Sequence, residues 1–354
     1  MKTYPRNYYI RRIASQLSKQ RPKAAVALAK TILPGKMNNF PNFLSVEVTN
    51  HCNLSCGTCP QSGLSDEKGY LSMALFRKVV DECRRYASLR SIIFTGFGEP
   101  LMHPRLMEMS RYIKALKIPY VRAYTNCTLL NQKKTDEILL NSGFDEITLS
   151  LNAADRETYE QITDRKDYER VTDNIEYFLR RKNELKVRYP FVNLQLLKLS
   201  GVPLYEKQFI EKWLPLLQPG DCVRIKTPHS YAGQVNDPRV NQTFNNLKRF
   251  PCGQLWTYLF MSWNGDVMPC CVDPSKKLKI GNLHDSSLKE LWRSPGIAHL
   301  REMHMRREYH SLPLCSDCEI WWYFSWRALA ANKIRNRVKA LLHQAGECGT
   351  YRSL

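Results

Sequence analysis

The sequence lacks any run of 18 or more apolar residues, so none of its 354 residues belongs to a segment that could cross a membrane as a helix. It also lacks the apolar core and small-residue cleavage site of an export signal, because Lys and Arg interrupt every apolar stretch near the N-terminus. We therefore expect a cytoplasmic protein. In that reducing compartment its 12 cysteines favour metal ligation over disulfides.

Acidic residues are scarce as well, and the formal net charge is +20. Residues 1–42 hold nine Lys and Arg side chains and no Asp or Glu, and residues 321–344 hold no acidic side chain either. Apolar residues at helical spacing predict a basic helical N-terminal extension (1–42) and a basic amphipathic C-terminal helix (321–354). Two interpretations stay open: the apolar stripes pack on the main domain, or the basic faces bind phosphate-bearing partners or the anionic inner membrane surface.

What the sequence does contain is a tight group of cysteines. Cys52, Cys56 and Cys59 have three and then two residues between them, and they directly follow an apolar, strand-like run. Four thiolates would close a tetrahedral metal site, whereas three leave one corner of a metal centre open to a small ligand. A disulfide, or a zinc site completed by a distant fourth cysteine, is the structural alternative.

Between residues 43 and 235, six apolar, β-rich runs alternate with helical periods. This alternation predicts a parallel sheet joined by crossover helices, with chemistry gathered at the carboxyl ends of the strands. The cysteine loop follows the first run. The six runs are Leu44–Val48, Ile92–Thr95, Tyr120–Tyr124, Glu146–Leu151, Val192–Leu197 and Val223–Ile225.

At Cys52, Cys56 and Cys59 the chain resembles the radical S-adenosylmethionine (SAM) superfamily, whose signature has this cysteine spacing. The resemblance implies that the three thiolates hold a 4Fe-4S cluster and that SAM chelates the fourth iron. It implies reductive cleavage of SAM to a 5'-deoxyadenosyl radical. It also implies an α/β fold, a partial (β/α)6 TIM-like barrel over residues 43–235, which agrees with the strand and helix pattern.

Polar residues after the later strands match further elements of that family. The resemblance implies that they contact SAM, through Gly98 and Glu99 of a Gly-x-Gly-Glu-Pro element and through hydroxyl and amide groups beyond. Cys127 stands where the family commonly has glycine. For each polar residue a purely structural role is the alternative. The candidate SAM-contacting residues are Gly98, Glu99, Thr125, Asn126, Ser150, Asn152 and Gln195.

A second set of cysteines lies in residues 250–320. A predicted hairpin around Trp263–Asp266 leads to Cys270 and Cys271, and a Cys-x-x-Cys pair follows at Cys315 and Cys318. This region resembles the SPASM or twitch extension of radical SAM enzymes. The resemblance implies one auxiliary 4Fe-4S cluster, hence two clusters in all, held by Cys252, Cys270, Cys315 and Cys318. A second auxiliary cluster would need more cysteines after Cys318, where only Cys348 is present.

Two alternatives stay open in this second set. Four cysteines suit zinc as well as an iron-sulfur cluster. Cys271 could replace Cys270 as a ligand, act as a catalytic hydrogen-atom donor, or be a plain buried thiol.

The predicted function is a radical SAM oxidoreductase of the dehydrogenase or epimerase type. It would abstract hydrogen from a small or conjugated, anionic substrate, such as a sugar or a phosphate-bearing compound. The auxiliary cluster would transfer electrons, and flavodoxin or ferredoxin would act as the reducing partner. The main alternative is a peptide-modifying (RiPP) maturase. A tRNA-modifying enzyme and a non-enzymatic protein that binds metal and nucleic acid are further alternatives.

Overall fold

The computed structural model describes residues 39–64, 67–202, 205–240, 249–322 and 352–353. Almost all of the predicted N-terminal extension and of the predicted C-terminal helix therefore lies outside the described residues. Within these ranges, no helix combines the length and the apolar character that a bilayer crossing requires.

Six parallel strands form the centre of the fold, and each begins and ends within two residues of a predicted run. In space they follow one another in chain order. A sheet without a reversal of strand order is typical of (β/α) barrels rather than of doubly wound sheets. The predicted partial barrel is thus confirmed. The strands are β1 (Phe43–Val46), β2 (Ser91–Phe94), β3 (Val121–Thr125), β4 (Glu146–Asn152), β5 (Phe191–Leu197) and β6 (Cys222–Lys226).

Eight α-helices lie in the described ranges, and they bury apolar stripes against the sheet. In the first, Ser72 accepts a hydrogen bond from the Leu75 backbone N–H and so forms the N-cap. Phe76 of this helix and Phe94 of β2 belong to one buried core. The helices are α1 (Met73–Cys83), α2 (Leu106–Ala115), α3 (Gln132–Asn141), α4 (Arg156–Thr163), α5 (Tyr168–Glu184), α6 (Glu206–Trp213), α7 (Leu288–Trp292) and α8 (Pro295–Arg306).

The sheet continues beyond β1 into the second half of the chain. Strand β7 (Tyr258–Met261) pairs in parallel with β1, and β8 (Asp266–Met268) forms the predicted hairpin with it. The short β9 (Gly281–Asn282) pairs antiparallel with β8, and β10 (Arg352–Ser353) pairs in parallel with β6. The order across the ten strands is β10-β6-β5-β4-β3-β2-β1-β7-β8-β9.

The chain divides into two compact units. The larger comprises Asn38–Leu247, Gln254–Glu319 and Cys348–Leu354, and the smaller comprises Met1–Met37, Lys248–Gly253 and Ile320–Glu347. We expected residues 250–320 to form a domain apart from residues 43–235. The pairing of β7 with β1 joins most of both segments to one sheet, and the division into these domains stays a prediction.

Candidate active site

The loop after β1 carries the three predicted cluster ligands at the carboxyl edge of the parallel sheet. Cys52, Cys56 and Cys59 are half-buried free thiols. The Cys59 backbone N–H donates to the Cys56 carbonyl oxygen at 3.0 Å, and the Gly57 N–H donates to the Ile162 carbonyl oxygen of α4 at 2.9 Å. These backbone bonds shape the loop without using the sulfur atoms.

The three thiols influence one another electrostatically. Burial raises the pKa of Cys56 to about 12, and the charges of Cys59 and Cys52 act in the same direction. Burial also raises the pKa of Cys59 to about 11 and raises the pKa of Cys52. The metal-free thiols are therefore protonated at neutral pH. Iron binding would have to displace a proton from each of them.

This donor set fits a 4Fe-4S cluster better than a single ion. In a cuboidal cluster each thiolate binds a different iron, so the sulfur atoms stand around a cube and not around one point. Across the ranges that the structure describes, no three His, Cys, Asp or Glu side chains surround a single-ion position. The charges of Cys52 and Cys59 nevertheless act on Cys56. The three cysteines could hold three irons and leave the fourth for SAM.

Glu99 joins three of the loops at this edge. Its backbone N–H donates to the His51 carbonyl oxygen at 2.8 Å. Its Oε1 accepts from the Leu101 N–H at 3.0 Å, and its Oε2 accepts from the Asn126 N–H at 2.7 Å. Burial raises the pKa of Glu99 to about 7 although these hydrogen bonds oppose the increase. The carboxylate thus holds the loops after β2 and β3 together, and its contact with SAM stays a prediction.

Asn126 lies against the cysteine loop. Its Nδ2 donates to Asn53 Oδ1 at 2.9 Å and lies 4.0 Å from Cys52 Sγ. Its Oδ1 accepts from the Thr128 hydroxyl at 2.6 Å. Thr125, the last residue of β3, accepts from the Cys127 N–H through its own hydroxyl oxygen at 3.1 Å. The structure therefore places Asn126 beside Cys52, and it gives the side chains of both Thr125 and Asn126 partners within the protein.

The remaining predicted residues lie together on the next two strands. Ser150 of β4 is in register with Gln195 of β5. Gln195 Nε2 donates to Asn152 Oδ1 at 2.9 Å, and Asn152 has a φ of +65°, a conformation that Asn tolerates better than most residues. The three polar side chains share the carboxyl edge of the sheet. Their contact with SAM stays a prediction.

Cys127 adopts the conformation for which the family commonly uses glycine. Its φ is +68°. The side chain is fully buried, and Asn174 Nδ2 donates to the Cys127 carbonyl oxygen at 3.1 Å. Side-chain burial and this hydrogen bond offset the cost of a left-handed non-glycine residue.

Gly98 allows the loop after β2 to approach the cysteine loop closely. A Cβ atom at Gly98 would lie 2.1 Å from the Thr49 carbonyl oxygen and 2.6 Å from that of His51. Because both atoms belong to the backbone, they cannot move aside without shifting the loop.

We expect Gly98→Ala to lose the iron of the first cluster, about four irons per chain by chemical iron assay. Gly63→Ala is the matched control, since its Cβ would meet no atom within 4 Å. Equal iron in the two variants would contradict the prediction.

Glu47 is a functional candidate that our sequence analysis missed. It follows β1, is 4% exposed, and accepts from the Phe97 N–H at 2.8 Å. Its charge contributes to the raised pKa of Cys59. With Asn50 and Asp273 among others, it lines a cavity of about 10 Å³, which is room for a single water molecule. A carboxylate inside the predicted apolar run Leu44–Val48 was the available signal.

Ionisable side chains that follow β6 lie at the same edge, and they were missed as well. Tyr231 is half-buried, and burial and the charges of Cys59, Cys271 and Cys56 raise its pKa well above the ordinary value. The His229 and Tyr231 rings are 4.3 Å apart. Burial, followed by the charge of Lys226, lowers the pKa of His229 to about 3, so its imidazole is neutral. Their position directly after a parallel strand was the signal.

Cys271 lies near Tyr231, and its charge contributes to the raised pKa of Tyr231. Gln254 Nε2 lies 3.5 Å from Cys271 Sγ, and the Tyr258 hydroxyl also forms a hydrogen bond with that sulfur. Burial raises the pKa of Cys271. The thiol packs against the aromatic cluster that contains Phe97 and Tyr258. Its catalytic role stays a prediction.

The Cys-x-x-Cys pair forms a short turn in the larger unit. The Cys318 N–H donates to the Cys315 carbonyl oxygen at 3.3 Å, which turns the chain so that both cysteines lie on one loop. Cys270 belongs to the same unit, whereas Cys252 belongs to the smaller unit. The assignment of Cys252, Cys270, Cys315 and Cys318 as ligands stays a prediction from the sequence.

A parallel barrel sheet with three thiols on the loop after its first strand defines a class of iron-sulfur enzyme. A model described as the radical SAM superfamily matches residues 46–193, and SPASM, described as an iron-sulfur cluster-binding domain, matches residues 252–319. Together they cover more than half of the chain. The chain belongs to the radical SAM superfamily and carries a C-terminal SPASM domain. Its cofactors are SAM and 4Fe-4S clusters.

Two relatives show how the sequence similarity is distributed along the chain. The tungsten-containing aldehyde ferredoxin oxidoreductase cofactor-modifying protein of Pyrococcus furiosus is 26% identical, and the match covers 78% of this chain and 87% of the relative. The GTP 3',8-cyclase of Chlorobaculum tepidum is 32% identical, but the match covers only 37% of this chain and 39% of that protein.

Solved structures share the fold. BtrN in complex with AdoMet and 2-DOIA has a TM-score of 0.55 at 18% identity, covering 80% of this chain and 94% of BtrN. Streptococcus suis SuiB bound to precursor peptide SuiA has a TM-score of 0.59 at 15% identity, covering 85% of this chain and 75% of SuiB. At these identities the likeness concerns the fold alone.

Proposed function

We propose that this radical SAM enzyme is an oxidoreductase of the dehydrogenase or epimerase type that acts on a small or conjugated polar substrate. The observation that carries the proposal is the group of ionisable side chains beside the cysteine loop. The charges of Cys59, Cys56 and Cys271 all act on Tyr231, and His229 packs on its ring. Half-buried polar side chains such as His229 and Tyr231 suit a small ligand with hydrogen-bonding groups.

Each part of the chain has a defined task in this proposal. Cys52, Cys56 and Cys59 would hold the first cluster, and Glu99 fixes the loops around it through its backbone and carboxylate hydrogen bonds. When bound, the first cluster with SAM supplies a hydrogen-abstracting radical, and the auxiliary cluster supplies an electron acceptor or donor. His229 is neutral and Tyr231 keeps its proton, so both could hydrogen-bond to a polar substrate.

The name of the Pyrococcus furiosus relative supports the substrate class. That protein is described as cofactor-modifying, and a cofactor is a small or conjugated molecule. The net charge of +20 further favours an anionic substrate, such as one that bears phosphate. A peptide maturase would use the same cysteines, so the substrate has to be decided by experiment.

Anaerobic reconstitution followed by a labelling experiment tests the proposal. We expect about eight irons per chain and reductant-dependent release of 5'-deoxyadenosine, with dithionite or with flavodoxin or ferredoxin. With deuterated candidate substrates, we expect deuterium to enter 5'-deoxyadenosine from a sugar or a phosphate-bearing small molecule. Transfer from a peptide or a tRNA alone would overturn the substrate class. Iron without any SAM cleavage would support the non-enzymatic alternative.

A further inference from the structure

Helix α8 buries two basic side chains on one face. His304 is 1% exposed and Arg301 is 7% exposed. Residues three apart in a helix are neighbours on its surface, so the two side chains belong to the same face. Buried basic groups are rare unless they are paired or functional, and Arg301 forms no ion pair with a carboxylate among the described residues.

His304 contacts a predicted ligand of the auxiliary cluster. Its Nε2 lies 3.4 Å from Cys315 Sγ. The ring also packs edge-on against Tyr309, with the ring centroids 5.2 Å apart, and this contact fixes its orientation. A thiolate that binds iron has no proton to donate. In the cluster-loaded protein the hydrogen bond would therefore run from the His304 N–H to the sulfur.

Arg301 brings a cationic group to the same face. Its Nε donates to the Leu255 carbonyl oxygen at 2.8 Å, and its Nη1 donates to the Trp292 carbonyl oxygen at 3.1 Å. The guanidinium carbon lies 4.3 Å from the centre of the Trp292 ring. Within the part of the chain that the structure describes, Nη2 is buried and has no hydrogen-bond partner. Burial lowers the pKa of Arg301 to about 10, so the group stays charged at neutral pH.

We propose that His304 and Arg301 raise the reduction potential of the auxiliary cluster. His304 does so through a hydrogen bond to the Cys315 thiolate, and Arg301 through a positive charge that no carboxylate neutralises. An all-thiolate cluster is anionic, and reduction adds a further negative charge. Hydrogen bonds to its sulfur atoms and nearby positive charge both stabilise the reduced form. The inference rests on the proposed ligation of this cluster by Cys315.

A raised potential has a direct consequence for the reaction. It makes the auxiliary cluster a better electron acceptor and a poorer donor. Such a cluster favours removal of an electron from a substrate radical, as in a dehydrogenation. His304 and Arg301 are thus positioning residues that act through the cluster and need not touch the substrate.

The test measures the reduction potential of the auxiliary cluster. In the Cys52→Ala/Cys56→Ala/Cys59→Ala background only the auxiliary cluster is present, so its signal can be followed by electron paramagnetic resonance in a redox titration. We expect His304→Leu to lower the equilibrium constant for reduction about tenfold, which is about 59 mV for a one-electron couple. Arg301→Met should lower the potential in the same direction. His304→Gln and Arg301→Lys should restore part of each loss, because they keep a donor and a charge.

Two exposed residues of α8 provide matched controls. His299→Leu and Arg306→Met remove the same side-chain types from the solvent face and should leave the potential unchanged. Unchanged potentials in His304→Leu and Arg301→Met, with about four irons still bound, would overturn the inference while leaving the proposed function intact. A triple-alanine background that binds no cluster would overturn both the ligand assignment and the inference. If His304→Leu alone loses its iron, the reduction potentials of Arg301→Met and Arg301→Lys decide whether the inference holds. A potential that Arg301→Met lowers and Arg301→Lys partly restores supports it, and an unchanged potential in Arg301→Met overturns it.

Discussion

Replacing Cys52, Cys56 and Cys59 together by alanine is expected to abolish the release of 5'-deoxyadenosine from SAM. The reason is the number of thiols. Three thiolates leave one iron open, and a cluster that protein thiolates ligate completely offers no iron to SAM. Any auxiliary cluster that survives in the variant therefore cannot substitute for the first. Reductant-dependent 5'-deoxyadenosine, measured by chromatography after anaerobic reconstitution, should fall below detection.

The iron content makes the same experiment quantitative. We expect it to fall from about eight to about four irons per chain in the triple variant. Cys83→Ala is a suitable control, because this thiol is fully buried within α1 and far in sequence from both cysteine sets. It should keep both the iron and the activity. SAM cleavage at the normal rate by the triple variant would refute the assignment of the first cluster.

The cysteine loop could be predicted because its information is local. Spacings of four and three residues place three thiols on one loop whatever surrounds it, and the preceding apolar run locates that loop at a strand end. The six parallel strands were predictable for the same reason, since each has its own apolar pattern. The turn residues Trp263–Asp266 also located the hairpin before Cys270.

Pairing across the chain was not predictable in this way. Strand β7 pairs with β1, so that Phe43 is in register with Tyr258. No local pattern records a partner that lies more than 200 residues away. The boundary predicted between the barrel and the second cysteine region therefore takes no account of this pairing.

The sequence also did not determine which hydrogen-bond partners the polar side chains have. The family resemblance made Glu99 a candidate for contacting SAM, which stays a prediction, but it did not show that both carboxylate oxygens also accept hydrogen bonds from two loops. A carboxylate can accept a hydrogen bond from an ammonium group or from a backbone N–H, and the sequence does not show which donors lie beside it in the fold. Glu47 was missed because it lies inside the predicted run Leu44–Val48, and Tyr231 was missed because a single polar residue after a strand resembles an ordinary loop residue.

A buried ion pair at the other edge of the sheet gives the second large expected effect. Lys182 Nζ of α5 lies 2.7 Å and 2.8 Å from the two carboxylate oxygens of Asp221, and the side chains are 1% and 0% exposed. Asp221 Oδ1 also accepts from the Val192 N–H at 2.8 Å, and Oδ2 accepts from the Gln218 N–H at 3.1 Å. The carboxylate thus connects α5 with the starts of β5 and β6.

Lys182→Met is expected to lower the free energy of unfolding by about 3–5 kcal/mol, because it leaves a buried carboxylate without its counter-ion. The matched control is Lys207→Met, whose partner Glu211 lies 3.6 Å away in an exposed pair. The control should cost less than about 1 kcal/mol. Denaturant unfolding of the metal-free proteins measures both changes. Equal losses in the two variants would contradict the prediction.

The pH dependence of the same variant tests the physical cause. Burial raises the pKa of Asp221 although Lys182 opposes the increase, so removal of the ammonium group should raise this pKa further. A carboxyl group whose pKa is higher in the folded than in the unfolded protein binds a proton on folding, so its protein gains stability as the pH falls. The free energy of unfolding of Lys182→Met should therefore approach that of the unmodified protein as the pH is lowered from neutral towards the ordinary pKa of Asp. A deficit that stays constant over this range would point to lost side-chain packing instead of an uncompensated charge.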